Sequence, residues 1–329
     1  MVVNGSDEAA IAQAVQVLAA GGLVAFATET VYGLGADAAS DAAVAGIFSA
    51  KGRPSDHPLI VHVPDAASAE AFAADIPPVA RKLMDAFWPG PLTLILARRD
   101  GMAEAAAGGH ATVGLRCPAH PVAHRLLVAA AANDPPVRGV AAPSANRFGR
   151  VSPTTAQHVA DEFGQELLVL DGGACPVGIE SAIVDCTRGA PVLLRPGTLA
   201  REKIEAACGQ RLRLPEEVDG AAPRASGTLE AHYAPNAKVR MMDARSLQTA
   251  LNVLGEDAGS IAVYARTVMR SRSARLRRMP DDAVETARQL FSVLRDFDSQ
   301  GVKLIWVETL PEDDAWEGVR DRLRRAAAS

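Results

Sequence analysis

At 329 residues, 48% of them apolar and 22% charged, the chain has the length for two domains and the apolar content for their cores, which excludes disorder as the default. A net charge of -5 lacks the basic excess of a protein whose main task is gripping nucleic acid. No apolar run reaches the roughly 18 residues of a membrane span, and MVVNGSDEAA lacks the regions of a signal peptide, so a cytoplasmic protein without membrane attachment is expected.

The elements run in chain order. Residues 7–20 have an acidic start, helical apolar spacing and a Gly21-Gly22 stop, which predicts a helix. Residues 23–27 are a short buried-strand run. A helix is expected over 40–50 with Ser40 as N-cap, then a strand over 59–63. A helix over 77–87 ends in the turn Trp88-Pro89-Gly90-Pro91. Strands are expected over 92–97, 112–116, 167–170, 182–185 and 192–195, and helices over 121–132 and 154–163. This mixture predicts an α/β or α+β catalytic domain over 1–208 with a sizeable sheet. Residues 209–236 hold few periodic apolar positions and several Pro and Gly, the composition of a linker. A small Rossmann-like α/β domain is expected over 237–329, with strands at 238–242, 260–264 and 303–307 and helices at 282–297 and 316–327. It has no G-x-G-x-x-G after its first strand, so a dinucleotide site there is unsupported.

Four clusters carry candidate chemistry. Lys51-Gly52-Arg53-Pro54 closes a predicted helix, where two cations converge on a polyanion or simply cap the helix end. Ala142-Pro143-Ser144-Ala145-Asn146 leaves the strand-like stretch 139–142 and presents a hydroxyl and an amide, either to a nucleotide or as a polar turn. Gly178-Ile179-Glu180-Ser181 enters one strand, and Arg195-Pro196-Gly197 leaves another, where Arg195 points into a cleft or makes a surface ion pair. Thr28-Glu29-Thr30-Val31-Tyr32-Gly33-Leu34-Gly35 comes after the first strand, and its G-x-G alone is weak evidence. No P-loop signature is present. His120 and His124 have metal-compatible spacing but read as helix-start and surface residues, and six arginines over 266–278 read as a solvated arm or an RNA contact. Cys117, Cys175, Cys186 and Cys208 form no C-x-x-C pair and are expected to be reduced.

Taken as an ordered set, TETVYGLG, KGRP, LIVHV, WPGPLTLIL, VGLR, APSAN, IESAIVD and LRPG resemble the threonylcarbamoyl-AMP synthase family, whose catalytic domain is called YrdC-like. The likeness spans roughly residues 8–207, and His232-Tyr233-Ala234-Pro235 before a small α/β domain resembles the family's two-domain form. The resemblance implies a twisted mixed sheet flanked by helices around a positive cavity. It implies a nucleotidyltransferase that takes L-threonine, bicarbonate and ATP to threonylcarbamoyl-AMP and pyrophosphate for tRNA modification, with a downstream transferase receiving the adenylate.

By motif, it assigns Lys51, Arg53, His57, Thr112, Ser144, Asn146, Ser152, Arg195 and Tyr233 to ATP, with Lys51 and Arg53 catalytic, and Thr30, His62, Arg116, Ala142 and Ser181 to threonine. Arg116 would meet the threonine carboxylate, and Tyr233, on the linker, would close over the nucleotide. Mg²⁺ is expected with ATP, held by phosphates and water rather than by a protein site. Two departures stand out: His57 occupies a position where the family usually has Asn, and SGTLEAHYAP lacks the basic run that precedes HYAP in many relatives. An RNA-binding or ribosome-maturation protein using the same basic concavity is the alternative. The hydrogenase-maturation carbamoyltransferases that share the module carry C-x-x-C segments absent here.

Overall fold

The computed structural model describes residues 1–219 and 222–329. Residues 220 and 221, inside the expected linker, lie outside the described residues. The chain divides into two compact units, one of Met1–Phe148 with Ser152–Thr228, the other of Gly149–Val151 with Leu229–Ser329. The stretch expected as a separate linker over 209–236 is therefore shared between them. The reason is local: Arg213 N donates to Pro191 O and Leu193 N to Arg213 O, which ties this stretch to a strand of the first unit.

The first unit is built on a sheet of ten strands: β1 (Val2–Asn4), β2 (Val24–Phe26), β3 (Gly33–Asp37), β4 (Ile60–His62), β5 (Leu92–Ala97), β6 (Thr112–Arg116), β7 (Val140–Ala141), β8 (Leu168–Asp171), β9 (Ala182–Asp185) and β10 (Val192–Arg195). Their order is β1-β8-β2-β3-β7-β4-β6-β5-β9-β10, and the sheet is mixed. Side chains alternate across it with period two. On β2, Ala25 faces one core with Leu34, Ile47, Val61 and Leu115, while Val24 and Phe26 face another with Ile11, Leu18, Leu126 and Leu170. The helices Glu8–Ala19 and Pro121–Ala131 cover the second core.

Local chemistry sets the helix ends. Asp7 accepts from Ala9 N, and Ser40 from Ala43 N, as N-caps do. His120 caps its own helix by accepting from Val122 N, the helix-start role expected of it. The helix Asp41–Lys51 stops at Gly52, whose φ of 65° a side chain would resist.

Strand β3 has no counterpart among the elements expected from sequence, where TETVYGLG carries no strand signal. Glycine weakens strand propensity, yet here it is required. A Cβ on Gly35 would stand 2.6 Å from Val140 Cγ1 and 2.8 Å from Phe26 Cε1. The helices Arg201–Cys208 and Ala244–Leu254 are likewise additional to the expected elements.

The second unit holds four parallel strands, β11 (Lys238–Met242), β12 (Ile261–Ala265), β13 (Arg275–Arg278) and β14 (Leu304–Glu308), ordered β11-β14-β12-β13. Leu247, Leu251, Val263 and Trp306 form a core on one side. Part of the arginine-rich stretch read as an arm is thus an edge strand. All four cysteines are free and buried. Among the described residues, no helix is long and apolar enough to cross a membrane.

Gly35→Val should lower stability by about 1–3 kcal/mol through overpacking, seen as a lower guanidinium midpoint. An unchanged midpoint would contradict the close packing of β3.

Candidate active site

Gly52 turns the chain out of its helix and leaves Lys51 facing inward at 3% exposure. Lys51 Nζ donates to Ser144 O at 2.5 Å and, more closely still, to Asn146 O. Phe148 N donates back to Lys51 O at 2.9 Å. The KGRP and APSAN segments, about 90 residues apart in sequence, are thereby joined. Burial, then the neighbouring Arg53 charge, holds the Lys51 amine well below its ordinary pKa. Arg53 donates from Nη2 to Pro58 O at 3.0 Å and lies 5.7 Å from the Phe148 ring centre. His57 meets the same ring edge-on at 5.5 Å, and burial followed by Arg53 lowers its pKa.

A second group gathers around β4 and β6, whose register pairs His62 with Arg116. Arg116 donates from Nε to Gly90 O at 3.2 Å and from Nη1 to Thr30 Oγ1 at 2.8 Å. Its Nη2 stands 2.6 Å from Glu29 Oε1 in a buried ion pair. The other Glu29 oxygen accepts from Ala119 N at 3.1 Å. Thr30 and Thr28 share a hydrogen bond of 2.9 Å. His62 is buried, its pKa is pushed down to about 3 by burial and then by Arg116, and its Nδ1 has no hydrogen-bond partner among the described residues. At neutral pH this imidazole is therefore uncharged.

A third group links β9 and β10. Arg195 forks onto Ser181 O, with Nε at 3.1 Å and Nη2 at 2.9 Å, and Nη2 also reaches Ser181 Oγ at 3.3 Å. Ser181 Oγ shares a 2.7 Å hydrogen bond with Thr93. Arg195 Nη1 donates to Ser226 O at 2.7 Å. Arg224 pairs with Asp56, and Ala225 packs on the apolar trio Ile60, Ile95 and Ile183. Part of the expected linker therefore lies on the first unit as a strap.

Three groups thus collect Lys51, Arg53, His57, Ser144 and Asn146; Thr30, His62 and Arg116; and Ser181 and Arg195. Ser152 is fully buried and donates to Glu180. Thr112 opens β6, and Ala142 N donates to Ile60 O at 2.9 Å. Tyr233 is placed in the second unit, at 1% exposure, stacked on Phe291 at 5.5 Å with Arg322 5.3 Å from its ring. Its φ of 60° is left-handed, a strained conformation for a non-glycine residue.

Glu29 received no role from the sequence. Its signal was a lone carboxylate just after a fully buried strand, where a buried charge requires a partner. Among the described residues, no cluster of three or more His, Cys, Asp or Glu is arranged to hold a metal ion.

Known proteins share this arrangement of segments. A family model described as telomere recombination matches residues 16–197, and one described as the threonylcarbamoyl-AMP synthase C-terminal domain matches residues 199–328. The threonylcarbamoyl-AMP synthase of Pyrococcus abyssi is 39% identical, covering 93% of this chain and 91% of that protein. That of Bacillus subtilis is 36% identical, covering 98% and 94%. The crystal structure of P. abyssi Sua5 complexed with L-threonine is similar with a TM-score of 0.88 and 36% identity, over 99% of this chain and 97% of that one.

Glu29→Ala leaves the Arg116 charge buried without its carboxylate and should cost about 3–5 kcal/mol. Glu29→Met with Arg116→Met should cost less, and denaturant midpoints for the two variants check this. A single variant as stable as the parent would contradict the pairing.

His62 gives a pH dependence. Its folded pKa is depressed, so its stabilising contribution is fully present above pH 6.5 and is lost as pH falls towards 3. The slope is up to about 1.4 kcal/mol per pH unit. Urea midpoints at pH 7 and pH 5 should converge more closely in His62→Gln than in the parent; equal convergence would contradict a neutral, buried His62.

Proposed function

From the premise that the chain belongs to the threonylcarbamoyl-AMP synthase family, we propose that it joins L-threonine, bicarbonate and ATP into threonylcarbamoyl-AMP and pyrophosphate, the first step of threonylcarbamoyladenosine formation in tRNA. The observation that carries this reading is the contact of Lys51 Nζ with Ser144 O and Asn146 O, which unites the two halves of the nucleotide signature at one buried point.

The chemistry follows from charge. The threonine amine combines with bicarbonate to give a carbamate and water. A carbamate oxygen then attacks the α-phosphorus in line, and pyrophosphate leaves. Two anions must approach, so positioning and charge neutralisation dominate. Lys51, Arg53, Ser144, Asn146, Ser152 and Arg195 hold the nucleotide, with Thr112 and His57 beside it. Arg116 takes the threonine carboxylate, and Thr30, His62, Ala142 and Ser181 complete that pocket. Mg²⁺ would arrive with ATP and would supply further neutralisation of the triphosphate.

The strap over 222–228 is the lid of this site, because Arg195 holds it through Ser226 O. It keeps the labile adenylate from water. A downstream transferase receives the product, in the cytoplasm. The alternative, an RNA-binding protein using the same concavity, is disfavoured by burial: Lys51, Arg53, Arg116 and Arg195 are each at most 8% exposed.

The test is incubation with ATP, bicarbonate and each amino acid in turn, with pyrophosphate and adenylate measured. Threonine should be turned over ahead of serine and valine, because a site built for a hydroxyl leaves polar groups unpaired around an isostere. Equal turnover of valine overturns the pocket assignment. In the same assay, Arg53→Ala should lose roughly 10- to 150-fold, the equivalent of one charge-assisted hydrogen bond. Full activity in that variant, folded, would remove Arg53 from the site.

A further inference from the structure

The second unit carries a charged surface that the reaction does not use. Residues 266–278 contain six arginines and no acidic residue, in a chain that is acidic overall. Arg266 turns inward, 3.8 Å from Glu308 and 5.5 Å from the Trp316 ring. Arg270, Arg272, Arg275, Arg277 and Arg278 are exposed. Arg272 and Arg278 pair with Glu256 at 3.9 Å and Asp281 at 3.0 Å, both exposed pairs that hold little energy against solvent. Arg270, Arg275 and Arg277 face no carboxylate among the described residues. Arg275 is oriented by donating to Gly259 O at 2.6 Å.

The stretch has a defined shape. Strand β13 lies at the sheet edge, in register with β12 alone, and all four of its residues are exposed. Extended backbone places Arg275 and Arg277 on one face, about 6.6 Å apart, with Arg270 on the loop that leads into the strand. Charge on an edge strand also discourages self-association. That purpose needs one or two charges of any kind, not a run of arginines that begins in the preceding loop. Arginine is the residue whose fork matches phosphate oxygens. An acidic peptide would seek a groove or a discrete pocket, whereas a phosphate backbone suits a row of spaced guanidinium groups on an open surface.

We propose that the surface formed by Arg270, Arg275 and Arg277 binds RNA through its phosphate backbone, independently of the adenylate-forming site. The choice of RNA over DNA rests on the proposed destination of the product in tRNA.

The experiment is fluorescence anisotropy of the full chain with a labelled unmodified tRNA transcript, at salt from about 50 to 200 mM. Binding should weaken steeply with salt. The triple variant Arg270→Gln, Arg275→Gln, Arg277→Gln should bind at least about tenfold more weakly at the lowest salt, with a log-log salt slope shallower by about 2–3. It should form threonylcarbamoyl-AMP at the parent rate, which shows that it is folded and separates this proposal from the catalytic one. The triple Lys variant at the same positions should keep most of the salt slope. Absence of binding by the parent at low salt, an unchanged slope in the Gln variant, or equal competition by duplex DNA or by polyglutamate would overturn the proposal.

Discussion

A cation taken out of water must be met by acceptors, and the first unit buries four of them: Lys51, Arg53, Arg116 and Arg195. The rest of the architecture can be understood from how they are met. Backbone carbonyls do most of it: Ser144 O and Asn146 O for Lys51, Pro58 O for Arg53, Gly90 O for Arg116 and Ser181 O for Arg195. Carbonyls are fixed by the fold, so the cations are fixed with them. One carboxylate, Glu29, adds full charge compensation for Arg116.

This arrangement suits a reaction between anions. Guanidinium groups already oriented by carbonyls need little reorganisation when phosphate or carboxylate arrives, which is where electrostatic catalysis gains most. Around Arg116, the paired Glu29 leaves the local charge balanced. A neutral His62 beside Arg116 adds a hydrogen-bonding nitrogen without adding charge. Arg195 also holds the strap through Ser226 O, so that segment is tied to the same guanidinium.

Much of this was legible in the sequence because the signals were local. Ser40 and Gly52 bracket the helix that delivers Lys51, and short apolar runs mark β5, β6 and β9. What escaped was set by tertiary contact. Strand β3 contains two glycines and reads as loop, and only the nearness of Val140 and Phe26 explains why glycine is needed. Glu29 sat within a motif without a role because its partner Arg116 is distant in the chain and meets it only through the fold. The stretch over 209–236 reads as a uniform polar tether, yet Ser226 and Tyr233 are drawn into different units by Arg195 and by Phe291. Composition carried no hint of that division, since it depends on which buried side chain each segment satisfies.

A site held by fixed carbonyls is organised before substrate arrives, and a crystal structure with L-threonine and a non-hydrolysable ATP analogue tests this most directly. The guanidinium groups of Arg116 and Arg195 should stay within about 1 Å of their present positions, with Arg116 still on Glu29 and Gly90 and Arg195 still on Ser181. Release of Arg116 from Glu29, or of Arg195 from Ser181, to reach the ligands would contradict it.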